Sequence, residues 1–590
     1  MPKVGKLQPF VARNIVLIAL LAAVLGRLIL SYPLNGNLLQ GTDSSAYLHR
    51  IWLSAQGLLD WDSSWYGGYP SLKFYPPLNY LFATLAALVG GSVAAYKAVM
   101  DLFFVLAPVA FYALVKGFRL PKSATALAVL LFSFSPVAVY YFWNNSYVAT
   151  INIVFLILVW KCFKDYAEKP SRRNLVWAGL FFGLSVLVHH LTAFLNIAIV
   201  VPWIFLRYRK FAVWPLVLGL LISGFWLFPF ALEYAGGENL LRAADAAPFF
   251  EGIIYHLGLW PSLAAAFLVS AALAYGVLRS KDNDVLPLAA SLVLITAALL
   301  LTSYNRILLV LPIPLALLLS KLATDKASSV MALAVLVAFA ALFYGFHPLF
   351  NLDTFPQWDV PPAADRVIYY PASYDFGLPN DTLVKFRLAS YVAPAAGQEL
   401  ANGWFHQSQL ARDLKETRYP YLASLESPLN INVDETYRLL SAGYVNTVIV
   451  NRFHPEYVSY FEGSPHFKKI NVTDNFVVFA LDPPSHYAEA GGKDSGLGVS
   501  RSFGSIALDG NCAEGGLVIK ESYDDYWSAS VNGKPVAITP TAEGFMSVPI
   551  GGAGPCVVEL SRAQPAYYCL FYAASLAALV YAAGIFLRKY

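Results

Sequence analysis

Pro76-Pro77-Leu78-Asn79-Tyr80-Leu81-Phe82-Ala83-Thr84-Leu85-Ala86-Ala87-Leu88-Val89 is the stretch on which the architecture turns. Its apolar part is too short for a helix that crosses a bilayer, which takes about 20 residues. Longer apolar runs fall near 14–32, 96–115, 123–142, 147–163, 174–189, 191–206, 211–232, 254–278, 285–303, 306–320, 328–346 and 567–587. If 78–89 lies at the interface, one face of the membrane receives the N-terminus, 116–122, 161–173, 207–210, 279–281, 321–326 and Arg588-Lys589. These segments hold twenty Lys or Arg, whereas the short connections of the other face hold only Arg50, Lys73, Lys97, Arg242 and Arg306. Positive residues collect on the cytoplasmic side. Letting 78–89 span would throw Lys116, Arg119, Lys122 and the 161–173 cluster outside. The sequence therefore predicts a multi-pass α-helical protein of the cell membrane, with twelve spans and both termini cytoplasmic.

Composition agrees. The chain is 57% hydrophobic and 13% charged, against about 45–50% and about 25% for soluble domains. A net charge of +4 calls for no nucleic-acid partner. The first run follows Lys3, Lys6 and Arg13, and Ser31-Tyr32-Pro33 is a poor cleavage site, so it reads as a retained span rather than a signal peptide. Cys162 and Cys569 lie in or beside apolar segments, where buried thiols are ordinary. Cys512 and Cys556 fall in the polar C-terminal part, where an oxidising exterior would permit a disulfide.

Two segments are expected outside. Residues 1–346 form the membrane domain, whose first outer loop, 33–95, is long for a connector and so a candidate for function. Residues 347–490 mix strand-like runs (Thr447–Val450, Phe476–Ala480) with a helical pattern near 433–442, as an α/β unit does. After a Gly-rich hinge at Gly491–Gly498, residues 491–566 alternate in short β runs around Asn532-Gly533, as in a small β-sandwich. A last span, 567–590, follows.

The first outer loop gathers the unusual residues. Leu48, Ile51, Trp52, Ala55, Leu58 and Leu59 recur at helical spacing, so 44–59 is predicted as an amphipathic helix on the membrane surface. Asp43 precedes it, and on spacing alone the simpler role is a helix cap. Asp60-Trp61-Asp62 has the Asp-x-Asp form associated with a divalent metal such as Mg or Mn, but solvated carboxylates are the simpler reading of an isolated pair in a loop. Lys73 either binds phosphate or snorkels from an interfacial helix. His189 and His190 end a span at the outer surface, where they could contact a phosphate, orient Asp43, bind a metal, or pack as neutral rings. Arg306 opens a span against the charge bias, which marks a functional candidate or a partner for anionic lipid.

Gly41-Thr42-Asp43, His49-Arg50 on the following helix and Tyr75-Pro76-Pro77-Leu78 together resemble the GT-C glycosyltransferases, including the Asp…His-x-Arg segment of archaeal oligosaccharyltransferases. The wider chain is most similar to YfhO-like and 6-pyruvoyl-tetrahydropterin synthase-related membrane proteins. It shares their His189-His190-Leu191-Thr192-Ala193 stretch and the late Tyr526-Trp527-Ser528-Ala529-Ser530-Val531-Asn532-Gly533-Lys534. The resemblance implies sugar transfer from a polyprenyl-phosphate donor, beside membrane lipid, to a glycan, lipid or protein acceptor on the outer face. Asp43 would then be the catalytic carboxylate. His49, Arg50, Lys73, His189, His190 and Arg306 would bind donor and acceptor. No Trp-Trp-Asp acceptor motif occurs, and the second outer loop, Trp143–Tyr147, lacks the acidic pair of an oligosaccharyltransferase metal site. Metal dependence is thus open. A transporter of envelope polysaccharide or lipid-linked sugar would want charges near mid-membrane, which the spans barely supply. A non-catalytic envelope scaffold would leave Asp43 as a cap.

Overall fold

The computed structural model describes residues 7–36, 44–57, 61–65, 68–69, 75–135, 137, 139, 142, 147–210, 212–234, 283–302, 308–322, 366–370, 397–401, 429, 431–452, 454–474, 476–502 and 504–587. Among them six helices are long and apolar enough to cross a membrane. Shorter apolar helices cover Lys122–Ser133, Val285–Thr302 and Pro312–Leu322. The spans expected at 254–278 and 328–346 lie outside the described residues.

Two of the long helices are broken, and the breaks decide the path of the chain. In Leu78–Lys116 the helix is interrupted at Gly91, whose φ of 78° suits glycine. Tyr147, at the start of Tyr147–Glu168, donates from its hydroxyl to Asn79 O at 2.8 Å and stacks on Tyr96 at 4.6 Å. Residues 79 and 96 therefore meet one end of the same helix, so the piece 78–90 begins and ends in one half of the bundle. Its Leu85, Leu88 and Val89 are exposed, as an apolar face at a lipid boundary would be. In Arg172–Tyr208 the break is His189, with extended backbone. Asn174 donates to Asp165 O, and Tyr208 donates to Glu168 Oε1. Both ends of this 37-residue segment thus return to one end of Tyr147–Glu168, which makes two antiparallel helices joined at His189.

Small residues let neighbours close in. A Cβ on Gly179 would stand 2.8 Å from Leu218, and one on Gly183 would stand 2.9 Å from Gly219 O. The last helix, Tyr568–Leu587, is tied back through Ser575, whose Oγ donates to Leu221 O at 2.7 Å.

Arg27 is fully buried in the first helix, within the apolar run 14–32. Its Nη1 donates to Phe104 O at 2.6 Å and its Nε to Ser133 O at 3.0 Å. Ser133 ends its helix and Phe104 stands four residues before Pro108 inside another, so the cation sits on two carbonyls without an intrahelical partner. The guanidinium also lies 4.3 Å from the ring centre of Phe104, a cation–π contact.

Outside the bundle, Arg366–Tyr370 pairs in parallel with Glu399–Leu400 and Val445–Asn451, and Phe476–Leu481 and Phe467–Val472 add antiparallel strands. Val433–Ala442 and Pro455–Glu462 are the helices of this α/β unit. Two further five-stranded sheets form the sandwich, which takes in Ala488–Ala490, so Gly491 and Gly492 make a turn within it. Asn532 and Gly533 both have positive φ in the hairpin between Trp527–Val531 and Lys534–Val536, the geometry expected of that pair. Cys512 and Cys556 form a disulfide joining neighbouring strands of one sheet.

The described residues between the first two long helices are built into these domains. Trp65 is fully buried among Val367, Leu400 and the other core side chains of the α/β unit, and Leu400 N donates to Ser64 O at 2.7 Å. Trp61 packs edge-on against Trp527 of the sandwich and donates its indole N–H to Glu521 Oε1 at 2.7 Å. Glu521 is buried and also accepts from the Tyr487 hydroxyl at 3.0 Å. Arg501 pairs with Glu399, which Arg366 reaches at 3.3 Å, while Arg501 lies 3.7 Å from Glu521. Burial pushes the Glu521 carboxyl up to about 7 despite the opposing pull of Arg501.

Arg27→Ala is expected to lower stability by about 2–4 kcal/mol, because it strands buried carbonyls, with Arg27→Lys in between; thermal unfolding in detergent measures both. A carboxyl with a raised folded pKa is protonated in the fold where the unfolded chain has already ionised. The joint at Glu521 should therefore weaken as pH rises from about 4.5 to about 7 and level off above. Glu521→Gln should flatten that dependence while keeping the Trp61 bond. Tryptophan fluorescence and melting followed across this range would show it.

Candidate functional site

The helix after Asp43 covers Ser44–Ala55, shorter than the predicted 44–59. It does not lie on lipid as an amphipathic helix would. Residues 46–50 are all buried, with Ala46 against the α/β core and Tyr47, Leu48 and Ile51 against the membrane core. The apolar periodicity was real, but the polar face is covered by protein instead of water.

His49 and Asp62 meet in this covered face. His49 Nε2 stands 2.7 Å from Asp62 Oδ2, and both side chains are fully buried. The other carboxylate oxygen accepts from Ser64 N at 2.9 Å and from the Ser64 hydroxyl. The His49 ring stacks on Trp65 with centres 4.2 Å apart. Asp62 is held in turn by reciprocal backbone bonds with Tyr69, which close the 62–69 turn. Asp62 is thus a buried partner of His49 and not the solvated loop carboxylate expected from sequence. With both oxygens taken, it is poorly placed as a metal ligand, and among the described residues no three His, Cys, Asp or Glu gather as a metal site. Asp60 lies outside the described residues.

Arg50 is also buried. Its guanidinium lies 4.2 Å from the ring centre of Tyr75, and the Tyr75 hydroxyl bonds that of Tyr47 at 2.7 Å. From Tyr47 the contacts run to Tyr147 (ring centres 5.5 Å apart), then to Asn79, whose Nδ2 donates to Val188 O at 3.2 Å. This chain of contacts links the helix after Asp43 to the bend at His189.

The two histidines of that bend differ. His189 Nδ1 lies 2.8 Å from the Thr192 hydroxyl, within a buried network that includes Asn152 and Ser185. His190 packs against the stacked pair Trp226 and Phe230, with ring centres 5.5 and 5.0 Å away. Neither touches His49 or Arg50 directly in the described contacts. Asp43, Lys73 and Arg306 lie outside the described residues.

Sequence reasoning missed Trp61, Trp65, Tyr69 and Glu521 as parts of the site's frame. A signal was present: Trp61, Trp65, Tyr66 and Tyr69 crowd into nine residues, which is a density suited to a loop with a core of its own. Glu521 gave none, since its partner stands 460 residues away.

Residues 72–342 match the family described as a 6-pyruvoyl-tetrahydropterin synthase related domain of membrane proteins. No curated protein matches the chain in sequence. In structure the chain is similar over 92% of its length to the arabinofuranosyltransferase AftD from Mycobacteria, with TM-score 0.55 and 12% identity. It spans 57% of that protein. ArnT from Cupriavidus metallidurans, bound to undecaprenyl phosphate, gives TM-score 0.47 and 12% identity over 79% of this chain and 98% of ArnT. A membrane bundle joined to a β-rich soluble part is the arrangement the chain shares in fold with this arabinofuranosyltransferase, and the family match over residues 72–342 is to a domain of membrane proteins.

Proposed function

We propose that the protein is a glycosyltransferase that moves a sugar from a polyprenyl-phosphate-linked donor to an acceptor on the outer face of the membrane. The observation that carries this reading is the built platform behind Asp43. The helix that starts at Ser44 is fixed through His49 and Asp62 to the soluble domains and through Tyr47, Arg50 and Tyr75 to the membrane bundle. A cap on a surface helix needs no such frame, whereas a carboxylate that takes or orients an acceptor proton must be held within about 0.5 Å of its working position. The fold shared with an arabinofuranosyltransferase supports the reaction class.

In this reading Asp43 is the catalytic residue. His49 and Asp62 act as positioning residues, with Nε2–H of the imidazole donating to the carboxylate. Arg50, Lys73, Arg306 and the His189-His190 bend form the donor and acceptor surroundings, where cations offset charge on the departing phosphate. A divalent ion such as Mg or Mn would have to draw on residues beyond Asp62.

Asn caps a helix as well as Asp does, so Asp43→Asn is expected to keep the fold and lower transfer by about 10²–10⁴-fold. Transfer of label from radioactive polyprenyl-phosphate sugars in membranes measures it, and full activity of the variant would remove Asp43 from the chemistry. Asp62→Asn acts through the platform: displacing a reacting group by about 1 Å costs about 10²-fold, so kcat should fall with little change in the KM for donor. A rise in KM alone would make the pair a binding element instead.

A further inference from the structure

At the end of the bundle opposite this platform, helices Leu7–Gly36, Leu78–Lys116 and Lys122–Ser133 enclose a cleft of about 380 Å³. Its lining includes Arg13, Lys116, Arg119 and Lys122 and no carboxylate. All four cations are exposed. Arg119 sits at φ 52° in the connection between two of these helices, a left-handed backbone that residues other than glycine rarely adopt.

Four other cations at this end have acidic partners, while Lys210 donates to the main-chain oxygen of Ala167. Lys161 pairs with Asp165, Lys164 with Glu168, and Arg207 and Lys321 share Asp284. Among the described residues no carboxylate forms an ion pair with any of the four in the cleft. Four unneutralised cations around one hollow repel one another, and an anion between them removes that cost.

The apolar part of the lining identifies the anion. Leu17 and Leu20 line the cleft, and Leu17, Leu21, Leu25 and Leu28 stand exposed along the same helix. An apolar strip thus leads from the cations toward the middle of the first span. A soluble anion has no use for it, but an acyl chain does.

We propose that this cleft binds an anionic membrane lipid, with its phosphate among Arg13, Lys116, Arg119 and Lys122 and its chain along the first helix. Such a lipid would clamp three helices at the end of the bundle farthest from the 44–69 platform. Each Lys or Arg near an anionic headgroup contributes about fivefold in binding.

The test uses the full chain in detergent, titrated separately with dioleoylphosphatidylglycerol and dioleoylphosphatidylcholine, with bound lipid counted by native mass spectrometry. Phosphatidylglycerol should bind preferentially, and added salt should weaken it. Lys116→Gln/Arg119→Gln should lose about 25-fold in that binding, while Lys116→Arg/Arg119→Lys retains most of it. Equal binding of the two lipids, or undiminished phosphatidylglycerol binding by the glutamine variant, overturns the proposal. So does competition by inorganic phosphate at concentrations similar to the lipid's, which would identify a soluble anion. If the glutamine variant melts before it can be titrated, the lipid preference and salt dependence of the wild-type protein still decide.

Discussion

The indole of Trp65 is the joint on which the half of this molecule beyond the membrane bundle depends. It is buried in the core of a domain whose strands lie some 300 to 400 residues further along the chain, and it carries the His49 ring 4.2 Å away. His49 belongs to the helix that packs on the membrane core. One aromatic stack therefore ties a soluble fold to a lipid-embedded one. Aromatic rings suit this use because they bury a large area with little side-chain freedom to lose. Once Trp65 is seated, the 62–69 turn is fixed, Asp62 faces His49, and the start of the helix after Asp43 has little room to move.

Trp61 makes a second joint, and its character differs. Trp65 is held by apolar packing, which is insensitive to pH. Trp61 is held by a hydrogen bond to a buried carboxyl in a cluster with Arg501, Glu399 and Arg366. The effective penalty for removing ions from water is several kcal/mol each, and good geometry is needed to offset it. The cluster therefore contributes orientation more than adhesion: it sets how the sandwich faces the loop, while the Trp65 core keeps the loop attached.

Much of this was legible in the sequence because the bilayer imposes length and charge rules that a single chain displays openly. The helix breaks at Gly91 and His189 fall where the apolar runs divide in the sequence, since a helix that must cross about 30 Å of hydrocarbon has a fixed length. The strands around Val448 and Phe479 and the Asn532-Gly533 turn were equally plain from local pattern. The surface helix was misjudged for an instructive reason. Periodicity shows that one face of 44–55 is apolar, but it cannot show that protein covers the other. That knowledge needs partners hundreds of residues away, as with Glu521 for Trp61. Asp62 was misread for the same reason, because its neighbour His49 is close in sequence but its burial is supplied by Trp65 and the distant α/β sheet.

Arg27 bears on the choice between enzyme and transporter. A charge inside a span is the usual mark of a moving substrate or proton path, and the near absence of such charges in the sequence weighs against transport. One such charge, taken by itself, reverses that argument, but its surroundings do not. The guanidinium is bonded to two main-chain carbonyls on different helices and faces the rings of Phe104 and Phe132. Arginine stays charged across any physiological pH, so it cannot relay a proton. Carrying an anion past it would mean breaking bonds that hold a helix end in place. A cation committed to the backbone in this way acts as a strut between the first, third and fourth helical segments. That role serves a rigid bundle, such as the proposed glycosyltransferase would need, better than one that must rock open.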